Sequence, residues 1–148
     1  MAEILFYHLE TRPLEAVLPL LLEKTLERGW RAVVEIGSPE RAEALDAHLW
    51  TFRDDAFLAH GLAGEETDIH QPILLTTGPD NPNDAPVRFF VDRAVPQAVG
   101  AYRRLVYLFS GHDPEAVAEA RLAWKALREG NEVTYWQQDQ NGRWAKKA

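Results

Sequence analysis

Three basic side chains and one tryptophan recur at helical spacing near the end of this chain: Arg121, Trp124, Lys125 and Arg128. Positions i, i+3, i+4 and i+7 lie on one side of an α-helix. Guanidinium and ammonium groups beside an exposed indole suit an acidic peptide that also carries an aromatic or apolar anchor. We call these four residues the cationic stripe, and they are the strongest chemical indication of function in the sequence.

The three like charges of the stripe repel each other, because cations at i and i+4 on a helix are neighbours. An anionic ligand would relieve that repulsion, which favours a binding role. The alternative is a solvated helix face next to a partly buried tryptophan, which is the commoner meaning of such a pattern. The residue pattern alone leaves both interpretations open.

A second group of aromatic residues follows a predicted helix in the middle of the chain. Trp50, Phe52 and Phe57 lie close together, with Arg53 and two aspartates between them. Aromatic residues and arginine dominate the energetics of protein–protein interfaces. Some of these rings must enter the core, but a cluster this dense predicts a protein–protein surface. It also offers a possible opposite wall for the ligand of the cationic stripe.

The charge distribution limits the classes of partner. The chain has a net charge of −7, which argues against broad contact with DNA phosphates. Residues 121–148 nevertheless carry six basic and three acidic side chains, so a basic end follows an acidic body. This asymmetry indicates a local anionic partner. Direct DNA binding by the basic end is a further hypothesis.

Composition indicates a folded protein of ordinary type. With 148 residues, of which 46% are hydrophobic and 26% charged, we expect one domain over residues 1–148. The absence of cysteine excludes disulfides and cysteine-ligated metals and is compatible with the cytoplasm, where we place the protein. We find neither an apolar run of membrane-spanning length nor the basic region of a signal peptide.

The order of apolar patterns predicts the fold. Residues 3–9 and 31–37 have strand patterns, and residues 13–28 between them have helical spacing. Strand, helix and strand in succession are typical of a right-handed βαβ unit with parallel strands. We expect Thr11 to cap the first helix, with Pro13 in its first turn.

The rest of the chain continues this alternation. Ser38 and Pro39 predict the start of a second helix, and Asp113 and Pro114 predict the start of the last one. Further strands are predicted over 73–77, 87–92, 104–111 and 132–138, and a turn and tail over 141–144. We therefore predict a three-layer α/β domain with a mostly parallel, Rossmann-like sheet flanked by helices.

Catalytic and cofactor motifs are missing from this predicted fold. The sequence has neither GxGxxG nor GxxxxGK[ST], so backbone amides have no glycine loop in which to approach a pyrophosphate. His60, Asp68 and His70 lack helical metal-site spacing, and we expect surface histidines without a metal. The pair His112 and Asp113 leaves one alternative open, an α/β enzyme acting on a nucleotide or phosphoester, although that chemistry needs more ligands.

Seven segments in a fixed order carry a family resemblance: FYHL (6–9), LLEKTLERGWR (21–31), LDAHLWTFRDDAFLAHG (45–61), QPILLTT (71–77), LVYLFSGHD (105–113), ARLAWKALREG (120–130) and VTYWQQDQNGRW (133–144). With these segments the chain resembles the chi subunit of bacterial DNA polymerase III over essentially its full length. No single segment is catalytic or unique to that family; their order and spacing carry the resemblance.

The resemblance implies an accessory subunit of the clamp-loader complex that has no enzymatic activity and no cofactor. Proteins of this family bind the acidic C-terminal tail of single-stranded DNA-binding protein, which ends in a phenylalanine with a free carboxylate. They also bind the psi subunit or, in some cases, a helicase of the nucleotide-excision type. The resemblance therefore implies that this chain reaches the clamp loader and DNA only through partners.

The resemblance also assigns roles to individual residues. By position, Arg121 matches the arginine that takes the terminal carboxylate of the tail, and Trp124 matches an aromatic position beside it. Lys125 and Arg128 would attract the aspartates of the tail. Trp50 matches an aromatic residue that borders the tail pocket. Phe57, with Phe52 near it, is expected on the face that binds psi or the helicase.

Overall fold

The structure is a computed structural model that describes residues 3–51, 59–96 and 99–148. In those ranges the chain forms three α-helices and an eight-stranded sheet: β1 (Glu3–Leu9), α1 (Leu14–Glu27), β2 (Ala32–Ile36), α2 (Pro39–Thr51), β3 (Gly61–Leu62), β4 (Ile73–Thr76), β5 (Val87–Val91), β6 (Arg104–Ser110), α3 (Pro114–Leu127), β7 (Glu132–Gln138) and β8 (Trp144–Lys146). Two short 3₁₀ turns cover Glu66–His70 and Val99–Ala101. The predicted alternation of strands and helices is confirmed.

The sheet is parallel except at one edge. Its strand order is β3-β4-β2-β5-β6-β1-β7-β8, and among these neighbours only β7 and β8 pair antiparallel. The parallel relation predicted for the first two strands is confirmed, but β5 and β6 lie between β1 and β2. The connection through α1 therefore crosses over two strands of the sheet.

The sheet separates two hydrophobic cores. Along each strand, successive side chains enter opposite cores: Val34 and Leu108 pack with α1 and α2, whereas Val33 and Tyr107 pack with α3. This alternation follows from the two-residue period of a strand. Helices α1 and α2 consequently cover one face and α3 covers the other, which confirms the predicted three-layer α/β architecture.

The start of α1 differs from the prediction. Pro13 occupies the N-cap position and no side chain caps the helix, so Thr11 is not the cap. The Thr11 hydroxyl instead donates to the carbonyl of Asp139, with 2.5 Å between the oxygens. The side-chain carbonyl of buried Gln138 accepts from three successive amides beginning at Glu10. A long-range contact with the end of β7 therefore replaces the local cap.

The C-terminal end also differs, because the predicted turn and tail include strand β8. Oδ1 of Asp139 accepts from the amides of Asn141 and Arg143, at 2.8 and 2.9 Å. Gly142 adopts a φ of +76°, a conformation that glycine tolerates best. This turn directs the chain back along β7, so the last residues extend the sheet.

The predicted surface position of His60 is wrong. His60 is 4% exposed, and its Nε2 lies 3.1 Å from both the carbonyl oxygen and Oδ1 of Asp46. Buried Asp68 accepts from the amides of Gly64 and Glu65, at 2.8 and 3.2 Å, so it organises its own loop. Over residues 3–51, 59–96 and 99–148, no group of three histidine or acidic side chains is arranged to hold a metal ion.

None of the three α-helices in the described ranges has the length and apolar character of a membrane-spanning segment.

Candidate functional site

Helix α3 positions the cationic stripe, and its local sequence explains why it forms. Oδ1 of Asp113 accepts from the amides of Glu115 and Ala116, at 3.0 and 3.3 Å, and Pro114 occupies the first turn. Both features are strong helix-start signals. The small side chains of Ala116 and Ala120 are buried against the sheet. Helix α3 therefore lies close to β6, and its larger residues remain near the surface.

Trp124 is held between the core and solvent. It is half-buried, and its ring makes edge contacts with Phe6 and Tyr135, each at 5.6 Å between centroids. Edge-to-face contacts of this kind fix the orientation of an aromatic ring. Trp124 therefore offers a rigid apolar surface beside the charged residues of the stripe.

The three cations of the stripe are exposed on helix α3. Among the described residues, no carboxylate pairs with Arg121, Lys125 or Arg128. The acidic residues Glu115 and Glu119 of the same helix instead pair with Arg93. The stripe consequently keeps its positive charge available to a ligand.

Strand β7 supplies a second side of the site that the sequence reasoning missed. Burial raises the pKa of Tyr135, and the nearby charge of Arg121 partly offsets this. The Tyr135 hydroxyl lies 2.6 Å from Nδ1 of His8, whose Nε2 lies 2.7 Å from Oε1 of Glu10. Burial lowers the pKa of His8, while Glu10 acts in the opposite direction. A network of partly buried polar groups therefore adjoins Arg121.

Lys147 adds a further cation at this side. Its backbone amide donates to the carbonyl of Tyr135 at 2.7 Å, one step beyond the pairing of Trp136 with Lys146. Residues directly opposite each other in an antiparallel pair project to the same face. Lys147 thus belongs to the same face as Tyr135. The predicted strand 132–138 includes Tyr135, but the sequence gives no signal for its approach to α3 or for the pairing of Lys147.

Trp50 does not lie at this site. It is 48% exposed at the end of α2, and its ring packs against His60 at 4.2 Å between centroids. Helix α2 covers β2, β4 and β3 on the face opposite α3. Trp50 therefore cannot form the opposite wall predicted for the stripe. Phe52 and Phe57 lie outside the described residues.

Several polar groups at the carboxyl ends of β1 and β6 contact one another. A cavity of about 630 Å³ lies there, lined by residues that include Glu15, Arg41, Asp92 and His112. Arg41 pairs with Glu15 at 2.6 Å and with Asp92 at 3.2 Å. Nε2 of His112 contacts the carbonyl of Glu10 at 2.5 Å. With Asp113 serving as a helix cap, the His112–Asp113 pair is used for structure.

Comparison with known proteins assigns the chain to a family. The family model described as DNA polymerase III chi subunit, HolC, matches residues 1–134. The chain belongs to this family. This family assignment identifies the chain as a replication accessory subunit.

Two curated relatives carry the same description. A probable DNA polymerase III subunit chi from Rickettsia prowazekii is 28% identical over 87 residues, which are 59% of this chain and 53% of that protein. DNA polymerase III subunit chi from Pseudomonas aeruginosa is 35% identical over 66 residues, which are 43% of this chain and 45% of that protein. The chain thus spans about half the length of the curated relatives that it matches.

Proposed function

We propose that this chain is a non-catalytic subunit that binds the acidic C-terminal tail of single-stranded DNA-binding protein through the cationic stripe. In this role it couples the clamp loader of DNA polymerase III to coated single-stranded DNA. The observation that carries the proposal is the set of exposed cations of α3, which have no carboxylate partner within the described part of the chain, beside the fixed ring of Trp124.

The chemistry of the tail fits this surface in two respects. A terminal carboxylate can accept two parallel hydrogen bonds from the guanidinium of Arg121. The phenylalanine ring next to that carboxylate needs an apolar surface, which Trp124 and Tyr135 provide. Lys125, Arg128 and Lys147 would attract the aspartates of the tail. Because a disordered tail must become ordered on binding, we expect modest affinity.

A second protein surface is proposed on the α1–α2 side. Trp50 is exposed there and directly precedes the segment that contains Phe52 and Phe57. Aromatic side chains of this kind are common interface anchors. We propose that this region contacts psi or a helicase, and we assign Trp50 to this contact rather than to the tail site. Two partners on opposite faces of the sheet could then bind at once.

Substitution of Arg121 tests the tail site directly. Arg121→Ala should weaken binding of a fluorescein-labelled tail peptide by about 2 kcal/mol, or about thirtyfold in Kd, because a charge-assisted hydrogen bond is lost. The measurement is fluorescence anisotropy at low salt. Arg143→Ala is the matched control, since Arg143 is an exposed arginine in the β7–β8 turn. Unchanged affinity of Arg121→Ala would show that the site is elsewhere.

A further inference from the structure

Three arginine side chains surround Trp30 at the end of the sheet where the parallel strands have their amino-terminal residues. Their guanidinium carbons lie 5.3 Å (Arg28), 5.5 Å (Arg103) and 5.2 Å (Arg104) from the centroid of a Trp30 ring. Arg104 pairs with Glu3 at 3.1 Å, but no described carboxylate pairs with Arg28 or Arg103. Nε of Arg104 is buried without a hydrogen-bond partner. This group concentrates positive charge around an indole.

A groove of about 650 Å³ adjoins this group, on the α1–α2 side of the sheet. Arg28 and Arg104 line it, and so do three half-buried aromatic residues, Tyr7, Trp136 and Trp144. Tyr7 and Trp144 make an edge contact at 4.8 Å between ring centroids. Trp136 follows Tyr135 in β7, so it projects to the face opposite Tyr135 and the stripe. The groove is therefore separate from the tail site.

The positive charge extends into the groove. Burial raises the pKa of the Tyr7 hydroxyl, and the charges of Arg104 and Arg28 act against this rise. Lys24 also lines the groove, and Lys146 lies opposite Trp136 in the β7–β8 pairing. The acidic residues of the lining are Glu3 and Glu27. Basic side chains thus outnumber acidic ones around an aromatic floor.

We propose that this groove binds single-stranded nucleic acid directly. Arg28 and Arg103, which have no carboxylate partner among the described residues, suit backbone phosphates, and the half-buried tryptophan and tyrosine rings that line the groove suit stacked bases. An acidic peptide without aromatic residues would match the charge, but it has no flat ring to place on the aromatic floor. A duplex keeps its bases paired and stacked inside, so it cannot use that floor. The ligand class is therefore a single strand with accessible bases.

The net charge of the chain sets the expected strength of this contact. An overall charge of −7 opposes the approach of a polyanion, so only the local basic surface attracts the strand. We expect weak binding that decreases steeply with added salt. The contact would supplement the proposed tail contact on the opposite face, without depending on it.

The test compares two variants that remove equal charge from opposite faces. Arg28→Ala/Arg103→Ala removes two arginines of the groove edge, and Arg121→Ala/Lys125→Ala removes two cations of the stripe. A fluorescein-labelled oligothymidylate and a labelled tail peptide are titrated separately by fluorescence anisotropy over a series of salt concentrations. Thermal melting of each variant confirms that it is folded.

We expect Arg28→Ala/Arg103→Ala to weaken oligothymidylate binding by about tenfold at low salt and to reduce the salt slope of log K by about 1.5. The same variant should keep its affinity for the tail peptide. Arg121→Ala/Lys125→Ala should lose affinity for the tail peptide and keep its affinity for the oligothymidylate. Equal loss of oligothymidylate binding in both variants, or no binding of wild type at low salt, would overturn the proposal while leaving the tail result interpretable.

A third variant tests the stacking component. Trp136→Leu keeps an apolar side chain but removes the flat ring, and it should weaken oligothymidylate binding by about fivefold or more at constant charge. Polyglutamate is the competitor for this experiment. If polyglutamate binds wild type as tightly as the oligonucleotide, and Trp136→Leu binds both normally, the groove recognises an acidic chain and the proposal is wrong.

Discussion

At the scale of single residues, Arg88 shows how a buried charge organises this fold. It is 1% exposed, and its guanidinium donates to Oε1 of Glu35 at 2.5 Å and to the hydroxyl of Tyr102 at 3.0 Å. It also donates to the carbonyls of Gly78 and Asp80, at 2.6 and 2.9 Å. The loop over residues 78–86, which follows β4, is thus fixed to the core through Arg88.

Removal of Arg88 should therefore be costly. Arg88→Met should lower the free energy of unfolding by about 3–5 kcal/mol, because it leaves the carboxylate of Glu35 buried without its partner. Urea denaturation measures this change. The double variant Arg88→Met/Glu35→Leu should recover part of the loss, since neither charge then remains. A loss below about 1 kcal/mol in the single variant would contradict the role of Arg88.

His8 makes stability depend on pH in a defined direction. Burial lowers its pKa below the value of about 6.5 that the unfolded chain has. As pH falls through about 6.5, the unfolded chain therefore takes up a proton before folded His8 does, and folding becomes less favourable. This loss continues down to the pKa of His8 in the folded state.

Substitution of His8 checks that direction. His8→Gln should lose less stability than wild type between about pH 7.5 and about pH 5.5, because the proton-binding difference at this position is absent. The measurement is urea denaturation of both proteins at the two pH values. A steeper loss in His8→Gln than in wild type would contradict the direction of the pKa shift.

The residues of the site differ in how far sequence predicts them. The positions of Arg121 and Trp124 on one exposed side of α3 follow from helical periodicity, and the structure places them there. Tyr135, His8 and Lys147 come from other elements, and their approach to α3 depends on strand order. No local pattern encodes that order, so these residues had to be found in the structure.

At the scale of elements, α3 carries the site and its start depends on Asp113. The side chain of Asp113 satisfies two amides of the first turn, at 3.0 and 3.3 Å. Asp113→Ala should lower the free energy of unfolding by about 1 kcal/mol, whereas Asp113→Asn should retain most of it, because asparagine also accepts these bonds. Chemical denaturation distinguishes the two variants. Equal stability of all three proteins would show that the cap is dispensable.

Element boundaries were predictable where local signals decide them. The start of α2 at Pro39, the start of α3 at Pro114 and the whole of β7 agree with the sequence patterns. The prediction that Thr11 caps α1 was wrong, because Gln138 and Asp139 bind the amides and hydroxyl of that segment. Strand β8 was missed for a related reason, since a three-residue edge strand depends on pairing with β7.

At the scale of the whole molecule, the sheet separates the proposed binding surfaces onto two sides. The stripe lies with α3, while Trp50 and the groove beside Trp136 lie on the side of α1 and α2. Sequence periodicity predicts that helices cover both faces but does not say which helix covers which face. That assignment follows from the direction of each crossover, which strand order determines. Trp50 and Arg121 were predicted to line one site, but they lie on opposite faces of the sheet because of this strand order.

The central claim is best tested by titrating the wild-type protein with a labelled peptide that copies the C-terminus of the single-stranded DNA-binding protein of the same host. The control peptide lacks the final phenylalanine. We predict saturable binding that requires this residue and weakens with added salt, because a basic stripe attracts an acidic tail even on a chain of net charge −7. Absence of binding at low salt, or equal binding of both peptides, would contradict the proposed function.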